Sequence, residues 1–205
     1  MIKKIERVLI ASLGAVLIHT GVVFMTQALL GSDPLTLFLE SLVKNFGLTL
    51  GTWNTIVGAV FALVAFICDK KKIGYTTIFY IATSKLIIDG LMKIVLPADN
   101  YLIGMLFVVI STLSISLGSA LCVSARIVLS FYDAFIYSIV DRFHLNYIIF
   151  RYSLEAVLTL AAIILHTFPS IGTLVYLIVM GPCVSAILNV IKGPIRRHFG
   201  LKEEY

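Results

Sequence analysis

The stretch LLGSDPLTLFLESLVKNFGLTLGTW, residues 29–53, decides how this chain is read. It follows an apolar run, residues 7–30, long enough to cross a bilayer, so a polar loop is expected. Instead Leu35, Leu39, Leu42, Val43 and Phe46 fall at helical spacing. Gly31-Ser32-Asp33-Pro34 reads as a helix start, because Asp caps free N–H groups and Pro is pre-shaped for the first helical position. Glycines 47 and 51 mark the exit. The helix over 34–47 is about three turns, too short to span. A second stretch, VLSFYDAFIYSIVDRFHLNYIIF at 128–150, repeats the pattern with Phe135, Ile136, Ile139, Val140 and Phe143 over a helix at 131–143.

Working outward, the whole chain is membrane-like. Of 205 residues 60% are hydrophobic and 13% charged, and mean hydropathy is +1.03. A soluble domain carries roughly 25% charged residues, so there is too little polar surface here to cover a globule in water. The net charge of +5 therefore speaks for basic residues held on the cytoplasmic side rather than for nucleic acid. Cys68, Cys122 and Cys183 lie inside apolar runs without metal-type spacing and read as small buried hydrophobes. The basic start followed by an apolar run resembles a signal peptide, but the run continues to about Leu30 without a small-residue cleavage site, so a retained first span is expected.

Six spans are expected, at 7–30, 51–68, 75–97, 101–125, 149–168 and 171–191, with the tight links PADN and TFPS closing two antiparallel hairpins. Six crossings from a cytoplasmic N-terminus place Lys3, Lys4, Arg7, Lys70, Lys71, Lys72, Arg126, Arg142, Arg151 and the basic tail on one side. Lys44 alone falls in an outer segment, with Lys93 at an outer helix end.

The two short helices belong to a repeat. Offset by 97 residues, 38–67 and 135–164 share ten of thirty positions, among them Phe38/Phe135, Ser41/Ser138, Val43/Val140 and Phe46/Phe143. Gly21/Gly118 and Ala28/Ala125 hold the same register. Each half has an odd number of spans, so the second enters from the opposite side and the repeat is inverted. The expected organisation is all-α: one membrane domain, 1–205, with repeats 7–97 and 101–191 and a cytoplasmic tail, 192–205. Two readings of the short helices stay open. Each lies on the membrane surface, or each re-enters it and lines a cavity.

Polar groups inside the spans need partners or a purpose. Lys85 and Asp89, four apart in span three, read as an ion pair or as a coupling pair. Arg151 and Glu155 read as a shallow snorkelling pair. Asp33 is a cap or a pathway acid; Thr36 aligns with Asp133, which caps its own helix or faces a cavity. His19 is an interhelical hydrogen-bond partner or a proton relay, and Gln27 and Glu40 are further pathway residues. Pro182 is expected to interrupt span six at the level of Thr83-Ser84-Lys85 in span three. No phosphate loop, metal-ligand spacing or nucleophile elbow is present, so an enzyme, a metal and a cofactor are not expected.

GSDP after span one, GLTLGTW with the following IVG, IGT and GPC in the last span, and Asp133 in the second short helix resemble the bacterial YczE/YitT-type multi-pass membrane proteins over roughly residues 10–190. The resemblance implies a bacterial plasma-membrane protein and names no substrate. Against the family pattern, Thr36 stands where an acid is expected and Phe131 where a Pro is expected. The expected function is a small secondary transporter or facilitator of an unidentified solute, with Asp33, Thr36, Asp133, Lys85, Asp89 and His19 as pathway residues. The alternative is a non-transporting scaffold, regulatory or ligand-binding accessory subunit. The expected partners are the lipid bilayer, a small solute and a second copy of the chain.

Overall fold

The computed structural model describes residues 2–125 and 130–199. Eight α-helices follow one another: α1 Ile2–Gln27, α2 Pro34–Phe46, α3 Leu50–Cys68, α4 Tyr75–Met92, α5 Tyr101–Ala125, α6 Phe131–Phe143, α7 Tyr147–Ile164 and α8 Ile171–Phe199. A single 3-10 turn, Lys70–Lys72, joins α3 to α4. Arg126 and residues 200–205 lie outside the described residues; the expected tail is helical as far as Phe199.

Five of these helices, α1, α3, α5, α7 and α8, are long and apolar enough to cross a membrane. The expected sixth, α4, is 18 residues long and is not among these five. Large apolar side chains such as Leu86, Leu102 and Ile178 stand exposed on the outside of the bundle, which suits a lipid solvent and not water. The expected break at Pro182 is absent: α8 is continuous through it. A proline removes one backbone bond, and a long apolar helix in a bundle tolerates that loss.

At the centre, α1 and α5 cross closely where glycines face one another. A Cβ on Gly118 would lie 2.5 Å from the Gly14 carbonyl oxygen, and one on Gly14 would lie 2.7 Å from the Gly118 carbonyl oxygen. Further along, Ser111 Oγ donates to the Gly21 carbonyl at 2.7 Å. Small residues let backbones meet in this way. Around this pair, α4 packs on α1 and α8 packs on α5, while α3 packs on α4 and α6, and α2 packs on α7.

The two short helices are the element on which the sequence left two readings, and their ends lie at different levels. At its C-terminal end α6 meets the end of α3: Arg142 Nη1 donates to the Cys68 carbonyl at 3.2 Å and Asp141 pairs with Lys72 at 2.6 Å. At its N-terminal end the Phe131 ring lies against Gly58, halfway along α3, and against Tyr80 in the first half of α4. Thirteen residues of helix rise about 20 Å, enough to run from the end of α3 to its middle and beyond. The C-terminal end of α2 is tied to the α7–α8 turn by Lys44 Nζ donating to the His166 carbonyl at 3.0 Å and by Asn45 donating to the Leu165 carbonyl at 2.8 Å. Near its N-terminal end, Leu35 joins the cluster of Ala15, Tyr80 and Phe131. Both short helices thus turn their N-terminal ends into the body of the bundle.

Candidate functional site

Each short helix begins with the same device. In α2 the Thr36 N–H donates to Asp33 Oδ1 at 3.2 Å. In α6 the Asp133 N–H donates to Ser130 Oγ at 3.1 Å, and Ser130 Oγ donates in return to Asp133 Oδ2 at 2.9 Å. These side chains take up N–H groups that a helix start leaves unpaired. Their carboxylates also sit where the partial positive charge of a helix N-terminus stabilises them.

The two acids share one neighbourhood. Leu35, two residues from Asp33, and Tyr132, next to Asp133, both pack on the cluster of Ala15, Tyr80 and Phe131. Arg151 enters from α7. Its Nε donates to Glu155 Oε1 at 3.1 Å, and its Nη1 donates to the Tyr147 hydroxyl at 3.1 Å. Asp33 has no such partner. It is buried, and Oδ2 has no hydrogen-bond partner among the described residues. Tyr132 and Tyr176 are both half-buried; Tyr132 lies near-parallel to Phe61 at 6.2 Å, and Tyr176 packs against the cluster of Met25, Ala28 and Val108.

His19 adjoins this group. It is fully buried and lies on the Tyr80 ring at 4.2 Å. The expected interhelical hydrogen bond is not seen: neither ring nitrogen has a partner among the described residues.

Lys85 and Asp89 stand apart. Lys85 is exposed, and no ion pair joins it to Asp89 among the described residues. Asp89 instead accepts from the Gly51 N–H at 2.9 Å and the Thr49 hydroxyl at 2.6 Å, holding the start of α3 from another helix. A carboxylate there stabilises the helix N-terminus through the same dipole. The structure therefore groups Asp33, Thr36, Asp133 and His19, and leaves Lys85 and Asp89 at a different place.

A cavity of about 420 Å³ opens beside the C-terminal half of α2. Thr26, Glu40, Val43, Leu50, Asp89 and Met92 line it, and the exposed Lys44 and Lys93 stand at its mouth. On one of its walls Glu40 Oε1 accepts from Ser32 Oγ at 2.5 Å. Among the described residues no group of His, Cys, Asp and Glu is arranged to hold a metal ion.

Sequence reasoning alone did not find Arg151, Glu155 and the tyrosines as part of one site. The four-residue spacing of Arg151 and Glu155 was the available signal, but depth along a helix cannot be read from spacing.

No solved structure matches this chain. An uncharacterized protein of Haemophilus influenzae (strain ATCC 51907 / DSM 11121 / KW20 / Rd) is 24% identical over 188 residues, covering 92% of this chain and 85% of that protein. With its sequence profile matching residues 5–189, nearly the whole helical bundle, the chain belongs to DUF6198, a family of unknown function.

Proposed function

We propose that this protein is a small secondary transporter or facilitator, built as six spans in two inverted repeats, with its solute site between the N-terminal ends of α2 and α6. In this reading α4 is the sixth span: it packs between α1 and α3, Lys85 snorkels along it, and Asp89 is engaged with α3. The helix pairing supports the inverted repeat. At the offset of 97 the pairings α1–α4 and α3–α6 correspond to α5–α8 and α7–α2, although the α3–α4 packing has no equally extensive α7–α8 counterpart. Contacts also exchange between α1 and α5 at that offset: Gly14 with Gly118 corresponds to Ser111 with Gly21. The cytoplasmic side is then the end bearing Lys70–Lys72 and Arg142, in a bacterial plasma membrane, as the YczE/YitT resemblance implies.

The observation that carries the reading is the pair of short helices turned inward around Asp33, Asp133 and Arg151. Broken or short helices in matching halves place backbone termini and polar groups where a solute can be held at mid-depth, and ionisable groups at that depth mark pathways. The test is thiol-accessibility scanning of single cysteines across 31–48 and 130–146, in a protein lacking Cys68, Cys122 and Cys183, labelled from each face. Shared access to the N-terminal positions of both helices from the two faces is expected. Labelling of each helix only from its own face, along one exposed stripe, would remove the pathway and leave a scaffold or accessory role.

A further inference from the structure

We infer that the groove between α3 and α4 binds one anionic phospholipid, with an acyl chain lying along the groove and the phosphate held by Lys70 and Lys71. The inference needs α3 and α4 to stand side by side in the bilayer, as in the six-span reading, but not the solute site. Its first support is shape. The groove has a volume of about 400 Å³, and every residue lining it is apolar. Ala59 and Ala62 on α3 and Ala82 on α4 are small, while Phe66 and Ile78 stand out exposed beside them. One end of the groove is at Ile73, directly after the Lys70–Lys72 turn. From Ala59 to Cys68 the helix rises about 14 Å, close to half of the roughly 30 Å hydrocarbon core. The groove therefore runs the depth of one leaflet, which suits an acyl chain and not a spanning helix.

The second support is the charge at that end. Lys70 and Lys71 are exposed, and among the described residues neither forms an ion pair. Lys70 Nζ stands over the Phe66 ring at 5.4 Å, so a residue of the groove wall holds one cation at its end. The other charged groups there are occupied. Lys72 pairs with Asp141 at 2.6 Å, Arg142 donates to the Cys68 carbonyl at 3.2 Å, and Asp69 Oδ1 accepts from the Lys71 N–H at 3.0 Å. Lys70, Lys71, Lys72 and Arg142 together outnumber Asp69 and Asp141, so the end of the groove is cationic. An anionic headgroup complements that excess and a zwitterionic one does not. Lysines at the cytoplasmic membrane surface attract anionic lipids, and basic pockets between spanning helices on that side hold their headgroups.

The experiment titrates the purified full-length protein in detergent with phosphatidylglycerol, and separately with phosphatidylcholine of the same acyl chains. Native mass spectrometry counts the bound lipid. One phosphatidylglycerol should bind about 25-fold more tightly than phosphatidylcholine, since each lysine near an anionic headgroup contributes roughly a factor of five. The double variant Lys70→Gln, Lys71→Gln should lose that preference. Lys93→Gln, an exposed lysine just past the other end of α4, should keep it. Ala59→Phe, which fills the groove from an exposed position, should expel the lipid with little change in Tm. Equal binding of the two lipids overturns the inference, and so does an equal loss in Lys93→Gln, which would make the attraction diffuse. Displacement of the lipid by glycerol 3-phosphate at like concentration would mark a site for soluble anions. A dimer of the protein free of lipid would place a second copy in the groove. Either result also overturns the inference. If a variant fails to fold, a phosphatidylglycerol with a photoactivatable acyl chain is cross-linked to the unaltered protein and mapped by peptide mass spectrometry. Attachment within residues 59–82 is expected, and attachment elsewhere refutes the inference. None of these outcomes bears on thiol access to α2 and α6, so the solute site stands or falls separately.

Discussion

Replacing Gly118 by alanine adds one methyl group at the crossing of α1 and α5, and the geometry fixes what it meets. The new Cβ would lie 2.5 Å from the Gly14 carbonyl oxygen and 2.8 Å from Ile18 Cγ1. A side chain could turn away, but the carbonyl belongs to helix backbone and can yield only if α1 moves as a body. Overpacking of this kind costs about 1–3 kcal/mol, and a backbone obstacle places it at the upper end. Alanine returns about 1 kcal/mol through its better helix propensity. The net expectation is a loss of about 2 kcal/mol, which for a chain of this size lowers the melting temperature by roughly 4–8 °C. The matched control is Gly181→Ala on α8, where nothing lies within 4 Å of the added atom; it should be neutral or stabilising by up to about 1 kcal/mol. Thermal melting of both variants in the same detergent makes the comparison, with reversible SDS titration to give free energies. A Gly118→Ala protein that melts at or above the parent temperature would refute the close crossing, and with it the axis on which the two halves are argued to meet.

Arg151→Met should destabilise by about 3 kcal/mol, the lower end for breaking a buried pair, since the Glu155 side chain is 10% exposed but that of Arg151 is 33% exposed. Adding Glu155→Gln should recover most of the loss, and a double-mutant cycle on melting checks whether the two effects are coupled or simply add. Trp53 is the single tryptophan, and its indole donates to the Gly47 carbonyl at 2.7 Å near the start of α3. In a membrane its ring should sit at the interface, so lipids brominated near the headgroup should quench it more than lipids brominated near the chain ends. The reverse order would place the α2–α3 link at the wrong depth.

The helix boundaries of the short elements were legible because local chemistry sets them. Asp33-Pro34 begins α2, and Gly47 ends it in a left-handed conformation with φ of 72°. The matching residue at the end of α6 is His144, with φ of 52°, a conformation in which glycine is favoured over histidine, so that exit carried a weaker signal. Depth was not legible. The apolar faces of α2 and α6 have the same spacing whether they rest on lipid headgroups or pack on α7 and α3. The Asp89 case has a similar cause. Four-residue spacing to Lys85 suggested a pair within one helix, but the stronger partners were the Gly51 N–H and the Thr49 hydroxyl, brought to it by packing from a different helix. Arg151 and Glu155 were legible as a pair, whereas the Tyr147 hydroxyl that Arg151 also holds was not.

Aligning the short helices at the offset of 97 sets Asp33 against Ser130 and Thr36 against Asp133. Both helices therefore use an acid and a hydroxyl in the same two capping positions, with the two groups exchanged. The exchange has an electrostatic consequence. In α6 the hydroxyl caps and the acid is held by it. In α2 the acid itself caps through one oxygen, and the other oxygen has no partner. The two short helices thus differ by one buried carboxylate oxygen, Asp33 Oδ2, without a hydrogen-bond partner among the described residues. A buried polar group without a partner costs free energy, so under the proposed inverted repeat the two ways of packing the halves would be unequal in energy, and a ligand would shift their balance only by its difference in affinity for the two.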